Sequence, residues 1–365
     1  MAVAFCISGH GFGHASRQVE VINAFGVLRP DQPIHVFTTA SKWLLDRTIR
    51  VPVALVPLAV DSGAIQRDSL AIDIPTTLAA AASFEAGADE AAVALARIFR
   101  DQGIGVVVCD APAMACTAAQ LAGIPAVVLS NFTWDWIYED FTSDNEAFAW
   151  LPPRLGARYA QADAGWRLPM HGGFETFGTV LDFPWIARQS RHEPDHVRRL
   201  IGADGGRPLV LVSFGGYGVA GMSLAHHDHA SYRLVWSGGA QHGPTSAPAD
   251  ALRLDRDYLG SLGLRYEDLV AAVDVVVSKP GYGIVSECVA NGAALLYTDR
   301  GRFREYPVMV EQMPDVLRCR HLSTAALAGD RWDDDIDALL GQARPAPRPL
   351  VNGADVAAGM LSAML

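Results

Sequence analysis

Val273–Arg300 reads VDVVVSKPGYGIVSECVANGAALLYTDR. Val275–Val277 with Ser278 has the continuous apolar character of a strand buried on both faces, as in a parallel sheet. Lys279-Pro280-Gly281-Tyr282-Gly283 can continue neither helix nor strand, so the chain turns there. A helix is expected from about Ile284 to Asn291, stopped by Gly292, with Ala294–Tyr297 returning as the next strand. Such a strand–glycine turn–helix unit aims free backbone N–H groups and a positive dipole end at whatever lies above the turn. An anion, most often a phosphate, suits that place. Glu287, four residues past Gly283, lies one helical turn inward, where a carboxylate can accept both hydroxyls of a ribose. An ordinary tight turn with an exposed glutamate fits the same letters. What favours the ligand reading is that the chain repeats the design elsewhere.

VVVCDAPAMACTAAQLAGIPAVVL (106–129) runs strand, proline-containing turn, helix, glycine, strand, at nearly the lengths of VVVSKPGYGIVSECVANGAALLYT (275–298). Likewise AVAFCISGHGFGH (2–14) matches LVLVSFGGYGVAG (209–221). Two similar halves, each opening with a strand and a glycine-rich loop, imply an α/β protein of two doubly wound parallel sheets.

Composition narrows the classes. A chain of 365 residues, 50% hydrophobic, has enough apolar material for a large core in two domains. A net charge of -11 and a pI near 5.4 argue against a nucleic-acid partner. Cys6, Cys109, Cys116, Cys288 and Cys319 form no C-x-x-C pair, and Cys6 and Cys109 sit in apolar strand-like runs, as buried thiols of a reducing compartment do. No apolar run is long enough to span a bilayer, and the N-terminus lacks the charged region of a secretory signal. The expected location is cytoplasmic; no oligomeric state is implied.

The first glycine loop, Ser8-Gly9-His10-Gly11-Phe12-Gly13-His14, meets neither the dinucleotide fingerprint, since no glycine follows at the required spacing, nor a Walker-type loop. Its two histidines at the mouth of the first strand are its distinctive feature. Asn131-Phe132-Thr133-Trp134-Asp135 follows a strand, where either a ligand cleft or a packed loop cover is expected. Leu181–Pro194, with two prolines and a change of pattern, reads as a linker. His226-His227-Asp228-His229 are consecutive, so they cannot all face one ion in regular structure, and a solvated loop is the expectation rather than a metal site. Arg302-Phe303-Arg304-Glu305-Tyr306-Pro307 is a charged loop at a strand end, and Asn352–Leu365 a final helix.

The motifs Gly9–Arg17, Asn131–Asp135, Phe214-Gly215-Gly216, Gly281–Glu287 and Phe303–Pro307, in this order and over nearly the whole chain, resemble the glycosyltransferase-like N-terminal part of plant and bacterial L-arabinokinases. More broadly the chain looks like a GT-B type glycosyltransferase. That resemblance implies two Rossmann-like domains facing across a cleft: an acceptor domain (1–184), a nucleotide-sugar domain (185–348) and a C-terminal helix (349–365) packing back on the first. The glycine/serine-rich ATP loop of galactokinase-type domains does not occur in these residues, so sugar phosphorylation is not expected of them.

Similarity to the bacterial N-acetylglucosaminyltransferase of peptidoglycan synthesis and to plant small-molecule glucosyltransferases implies inverting transfer from a nucleotide sugar, with UDP as the first expectation. On that resemblance Ser213, Gly215, Gly216, Lys279, Gly281, Tyr282, Gly283 and Ser286 line the donor site, Glu287 takes the ribose, and Arg302 and Glu305 lie near the donor sugar. Gly11, Phe12, Gly13, Asn131, Trp134 and Asp135 belong to the acceptor cleft, which takes a small molecule or glycan. Backbone amides and Lys279 can meet the diphosphate charge, so no metal and no cofactor beyond the nucleotide sugar is expected. The longer donor signature of the plant enzymes is not present, which leaves base and sugar open. A nucleotide-sugar epimerase or hydrolase and a non-catalytic nucleotide-sugar-binding module are the alternatives.

Inverting transfer needs a base for the acceptor hydroxyl, and histidine has the right intrinsic pKa. His10 and His14 are both available; the related families place theirs at the start of the first helix, which matches His14. Asp110, ending a neighbouring strand, is the candidate orienting carboxylate and occupies the corresponding place in the plant enzymes. Its other reading is a cap for the helix after Pro112.

Overall fold

The computed structural model describes residues 1–365 other than 204, 216–218, 220, 221, 228–230, 238–243, 330 and 331. The first half runs β1 (Ala2–Ile7), α1 (Gly13–Leu28), β2 (Ile34–Thr38), α2 (Lys42–Thr48), β3 (Ala54–Pro57), α3 (Ile74–Asp101), β4 (Ile104–Asp110), α4 (Ala113–Ala122), β5 (Ala126–Phe132), α5 (Trp134–Thr142), α6 (Leu151–Tyr159), β6 (Ala164–Gly172) and β7 (Val180–Asp182). The second runs α7 (Pro194–Leu200), β8 (Leu209–Val212), β9 (Arg233–Trp236), β10 (Leu252–Arg253), α8 (Arg256–Ser261), α9 (Tyr266–Ala272), β11 (Val275–Ser278), α10 (Tyr282–Asn291), β12 (Ala294–Thr298), α11 (Glu305–Gln312), β13 (Cys319–Leu322), α12 (Thr324–Leu327), α13 (Asp333–Leu340) and α14 (Gly353–Met364).

Among the described residues these strands form a seven-stranded sheet, β3-β2-β1-β4-β5-β6-β7, and a six-stranded sheet, β10-β9-β8-β11-β12-β13. Every pairing is parallel. The first six strands of each half share one order, so the repeat read from the sequence is a repeat of topology. The unbroken apolar runs of β1, β4 and β5, and of β8, β11 and β12, are buried at every position because helices cover both faces. Each sheet has its switch point between its first and fourth strands, where ligand crevices form in doubly wound sheets.

The final helix returns to the first half. Ala357, Ala358 and Leu361 of α14 are buried with Val3, Phe5, Val21 and Phe25, and Arg29 donates to Ser362 Oγ at 2.8 Å. Three expectations differ in detail. The stretch after β5 is not a loop: Asn131 and Phe132 finish the strand, pairing with β6, and α5 starts at Trp134. Leu181 belongs to an edge strand of the first sheet, so the linker starts beyond Asp182. Glu305 opens a helix, leaving only 299–304 as loop. No described helix is long and apolar enough to cross a membrane.

Candidate active site

The ends of β1 and β4 lie side by side, with Ile7 paired to Asp110. Beyond Ile7 the chain swings through the glycine loop, in which Gly11 takes φ +63, and enters α1 at Gly13. His14 therefore sits in the first turn of α1, above the end of β4. Its Nδ1 is 2.9 Å from Asp110 Oδ1. Asp110, fully buried, also accepts from Arg17 (Nε to Oδ2, 3.1 Å; NH2 to Oδ1, 2.5 Å) and from Gln18 Nε2 at 3.2 Å. Burial pushes this carboxyl up, but Arg17 and His14 outweigh it and hold Asp110 at about 2. An ionised carboxylate can only accept, so His14 Nδ1 donates to it, although Arg17 NH2 lies 3.3 Å from the same nitrogen; a neutral ring then presents Nε2 as its acceptor. The capping alternative for Asp110 fails: Pro112 flanks α4, no side chain caps it, and Asp110's oxygens are turned to α1.

Arg17 also donates to Asn131, whose own amide reaches Pro169 O at 2.7 Å. Asn131 is thus buried behind Arg17 as a brace, a correction to its expected place in the acceptor cleft. Asp135 is a second correction. In the first turn of α5 its Oδ1 accepts from the Trp136 amide at 2.9 Å, and its other oxygen faces Gly156 of α6, away from the cleft. Trp134, at the start of the same helix, does line the cleft, as do Gly11, Phe12 and Gly13.

His10 stands on the cleft wall with its Nδ1 accepting from the Ala64 amide at 3.3 Å. Its ring meets Trp134 edge-on with centroids 5.8 Å apart and lies 6.3 Å from that of His14. Burial, then the neighbouring His14, Arg300 and Lys279, lower its pKa to about 3. Close by is Asp61, which the sequence does not single out. Asp61 accepts from Ser8 Oγ at 3.0 Å and Trp134 Nε1 at 2.9 Å, and burial pushes its pKa up. Its one sequence signal is being the first acidic residue after the apolar run Val53–Val60.

The second half faces this constellation. Ser278 Oγ donates to Ser213 O at 2.6 Å, and Tyr266 OH reaches Ser213 Oγ at 2.8 Å, which ties β11 to β8 below the turn. A Cβ on Gly281 would lie 2.8 Å from Lys279 Nζ, so the missing side chain is what lets the lysine fold over the turn. Lys279 lines the cleft without a hydrogen-bonding or carboxylate partner among the described residues. Burial and the nearby Arg300 lower it to about 7, partly offset by Glu305. A Cβ on Gly283 would lie 3.8 Å from Gly13 Cα, so glycine faces glycine where α1 and α10 begin. Tyr282 spans the two halves, donating to Met170 O at 2.9 Å and stacking on Phe132 with centroids 6.1 Å apart. Gly215, with φ +72, and Ser213 line the same cleft; Gly216 lies outside the described residues.

Glu287 is already paired. Arg188, just beyond the first sheet, donates to Glu287 Oε1 from Nε at 2.7 Å and from NH2, and both line the cleft. Ser286 instead bonds back to Gly283 O at 2.9 Å and opens onto a small side crevice rather than the main cleft. Arg302 is corrected outright. Across the loop 299–304 and the start of α11 the side chains divide: Arg300, Phe303 and Glu305 line the cleft, with Arg300 on Glu305 Oε1 at 3.1 Å. Arg302 turns out to α5, where it meets Asp140 Oδ2 at 2.9 Å, Ser143 Oγ at 2.7 Å and Asp144. Arg304 does the same with Glu139 Oε2 at 2.7 Å, lying 4.7 Å over the Trp136 ring.

The result is one cleft of about 1130 Å³ between the two sheets, lined from the first half by the His10–His14 loop and from the second by the Lys279–Gly283 turn. No group of described His, Cys, Asp and Glu side chains is placed to hold a metal ion. His227 departs from the solvated-loop expectation, being buried with Nδ1 2.6 Å from Tyr232 OH; Asp228 and His229 lie outside the described residues.

No family model matches the chain. It is 26% identical over 374 residues to an L-arabinokinase from Arabidopsis thaliana, a match covering 99% of this chain and 34% of that protein. The chain thus spans about a third of the length of this curated relative. The fold is similar to the glycotransferase of kitacinnamycin (TM-score 0.62, 15% identity, 100% of this chain and 99% of that one). It is similar also to Phytolacca americana UGT2 complexed with UDP-2fluoro-glucose and pterostilbene (TM-score 0.57, 13% identity, 100% and 94%). A third likeness is to UDP-glucose: anthocyanidin 3-O-glucosyltransferase in complex with UDP (TM-score 0.59, 10% identity, 99% and 94%). The architecture is GT-B, two Rossmann-like domains across a cleft.

Proposed function

We propose that the protein is an inverting glycosyltransferase that moves a sugar from a nucleoside-diphosphate donor, UDP-linked in the first instance, to an acceptor hydroxyl. The observation that carries this reading is the apposition, in one cleft, of the His14–Asp110 pair and the open glycine turn with its unpaired Lys279. In this reading the acceptor O–H points at His14 Nε2. The hydroxyl oxygen attacks the anomeric carbon as its proton passes to Nε2, and the bond from that carbon to the diphosphate oxygen breaks with its electron pair. Asp110, anionic and turned to Nδ1, stabilises the imidazolium that forms and holds the ring in the productive tautomer. The diphosphate lies on the Gly281–Gly283 turn at the start of α10, with Lys279 as its counter-charge, so a divalent metal is not needed.

Glu287 is the ribose candidate, with Arg188 holding its Oε1 and leaving the other oxygen for a hydroxyl. Glu305, fixed by Arg300 and lining the cleft, is the candidate contact for the donor sugar. Five free cysteines, four of them buried, fit work in a reducing cytoplasm. A binding module without turnover is the second reading, favoured by the arabinokinase match, in which this region makes up a third of a longer protein. Calorimetric titration with UDP, GDP and dTDP, followed by an assay of donor consumption over an acceptor panel, separates the cases. Binding with transfer supports the enzyme, binding without consumption the module, and no binding removes both.

A further inference from the structure

We infer that His10 is a neutral hydrogen-bond donor to the diphosphate leaving group, its single proton fixed on Nε2 by the backbone amide of Ala64. This rests on the donor-site reading above. The amide N–H can only donate, so the Nδ1 it meets at 3.3 Å carries a lone pair, and the ring's hydrogen sits on Nε2. His14 is the opposite case: with Nδ1 donating to the Asp110 carboxylate, a neutral ring leaves Nε2 as the acceptor. Two imidazoles 6.3 Å apart thus present a base and a donor to one cleft.

The fixing partner is itself held from several sides. Asp61 is anchored by Ser8 and Trp134, Gly63 O accepts from Tyr138 OH at 2.8 Å, and the Ile65 amide reaches Thr77 Oγ1 at 2.9 Å. Gly63 takes φ +62, and a Cβ there would lie 2.8 Å from His10 Cβ, so the loop approaches the imidazole through its one unsubstituted residue. Loop 61–65 is therefore built to hold an N–H against His10.

The charges acting on His10 give its side of the cleft. Besides His14 it feels Arg300 and Lys279, two cations of the second half that line the same cleft. Doubly protonating the ring would break the Ala64 bond and set a third cation beside those two. As a neutral donor on the wall of the same cleft it can instead meet the negative charge that develops on the leaving group. As the sugar is transferred, the acceptor proton goes to His14 and the electron pair of the broken bond goes to the diphosphate oxygen. His10 hydrogen-bonds that oxygen and keeps its own proton.

Two measurements test this. Two-bond ¹H–¹⁵N spectra of histidine-labelled wild-type protein should show His10 with Nδ1 bare and Nε2 protonated, without titration between about pH 5 and 8, where a free histidine titrates. Titration calorimetry with UDP and UMP should then show His10→Phe losing about 10- to 100-fold in UDP affinity, the loss expected for a hydrogen bond to a charged group. UMP affinity should be unchanged, and His10→Gln, which restores an N–H, should recover part of the loss. A His10 proton on Nδ1, titration in that window, or equal losses for UDP and UMP overturns the assignment while leaving the donor site standing. If wild type binds none of UDP, GDP and dTDP, the donor-site reading and this assignment fall together.

Discussion

The two matching units, β4–turn–α4 and β11–turn–α10, occupy the same place in their sheets and do opposite things with it. At the end of β4 the chain sets down Asp110, buries it completely and spends its oxygens on His14, Arg17 and Gln18. The next residue, Ala111, is held at φ +72, and its carbonyl accepts from Tyr159. At the end of β11 the chain has Ser278 and then Lys279 over a glycine with room for it. The first turn is closed by its own side chains and exists to hold a histidine. The second is left open, with a cation that has no hydrogen-bonding partner among the described residues. In the proposed function one scaffold used twice divides the work: the half with the filled turn supplies a base, the half with the open turn an anion site.

The largest effect should come from breaking the filled turn. His14→Ala is expected to lower turnover by about 10²–10⁴-fold with nucleotide affinity nearly intact, and Asp110→Asn to lower it less, in the same direction. Steady-state kinetics with matched calorimetry checks this. If His10→Ala abolishes turnover and His14→Ala does not, the two histidines have exchanged roles.

Breaking the open turn should act on binding instead. Gly281→Val puts a carbon 2.8 Å from Lys279 Nζ and should displace both the lysine and a phosphate. Glu287→Ala should weaken nucleotide binding by about 1–3 kcal/mol. Unchanged affinity in both variants, with melting temperatures intact, would remove the anion site from the second half.

Lys279 sharpens the contrast through pH. Its free-state pKa is about 7, and a bound diphosphate favours the charged form and raises it. Affinity should therefore be fully present below pH 7 and fall as pH rises from there, by up to about tenfold per unit until the bound-state pKa is reached. Lys279→Met should give weak, flat binding; Lys279→Arg should give strong, flat binding. The smallest effect expected is none at all: turnover should survive EDTA, and loss restored by magnesium or manganese would contradict the lysine's role.

What could be read from sequence followed a physical rule. The sheets were legible because strands buried on both faces are continuous apolar runs, and glycines and prolines punctuate them. Asp110 was legible because it is the first polar group beyond such a run, and His14 through the likeness of its glycine loop to that of the related families. Side-chain direction within a loop was not: Arg302 and Glu305 look alike in sequence, yet one grips α5 and the other lines the cleft. Asn131 and Asp135 failed for a related reason: Asn131, still inside β5, is taken up by Arg17 and Pro169, and Asp135, in the first turn of α5, faces the Trp136 amide and Gly156. Asp61, the Ala64 amide and Arg188 act on residues 50 or more positions away, and no local pattern announces a partner that far off.

A structure of the protein with a bound nucleoside-diphosphate sugar tests the central claim most directly. The account predicts the diphosphate on the Gly281–Gly283 turn against Lys279, the ribose at Glu287, and the anomeric carbon turned towards His14 Nε2. A diphosphate lodged elsewhere, or a sugar facing away from His14 with the cleft closed, would contradict it.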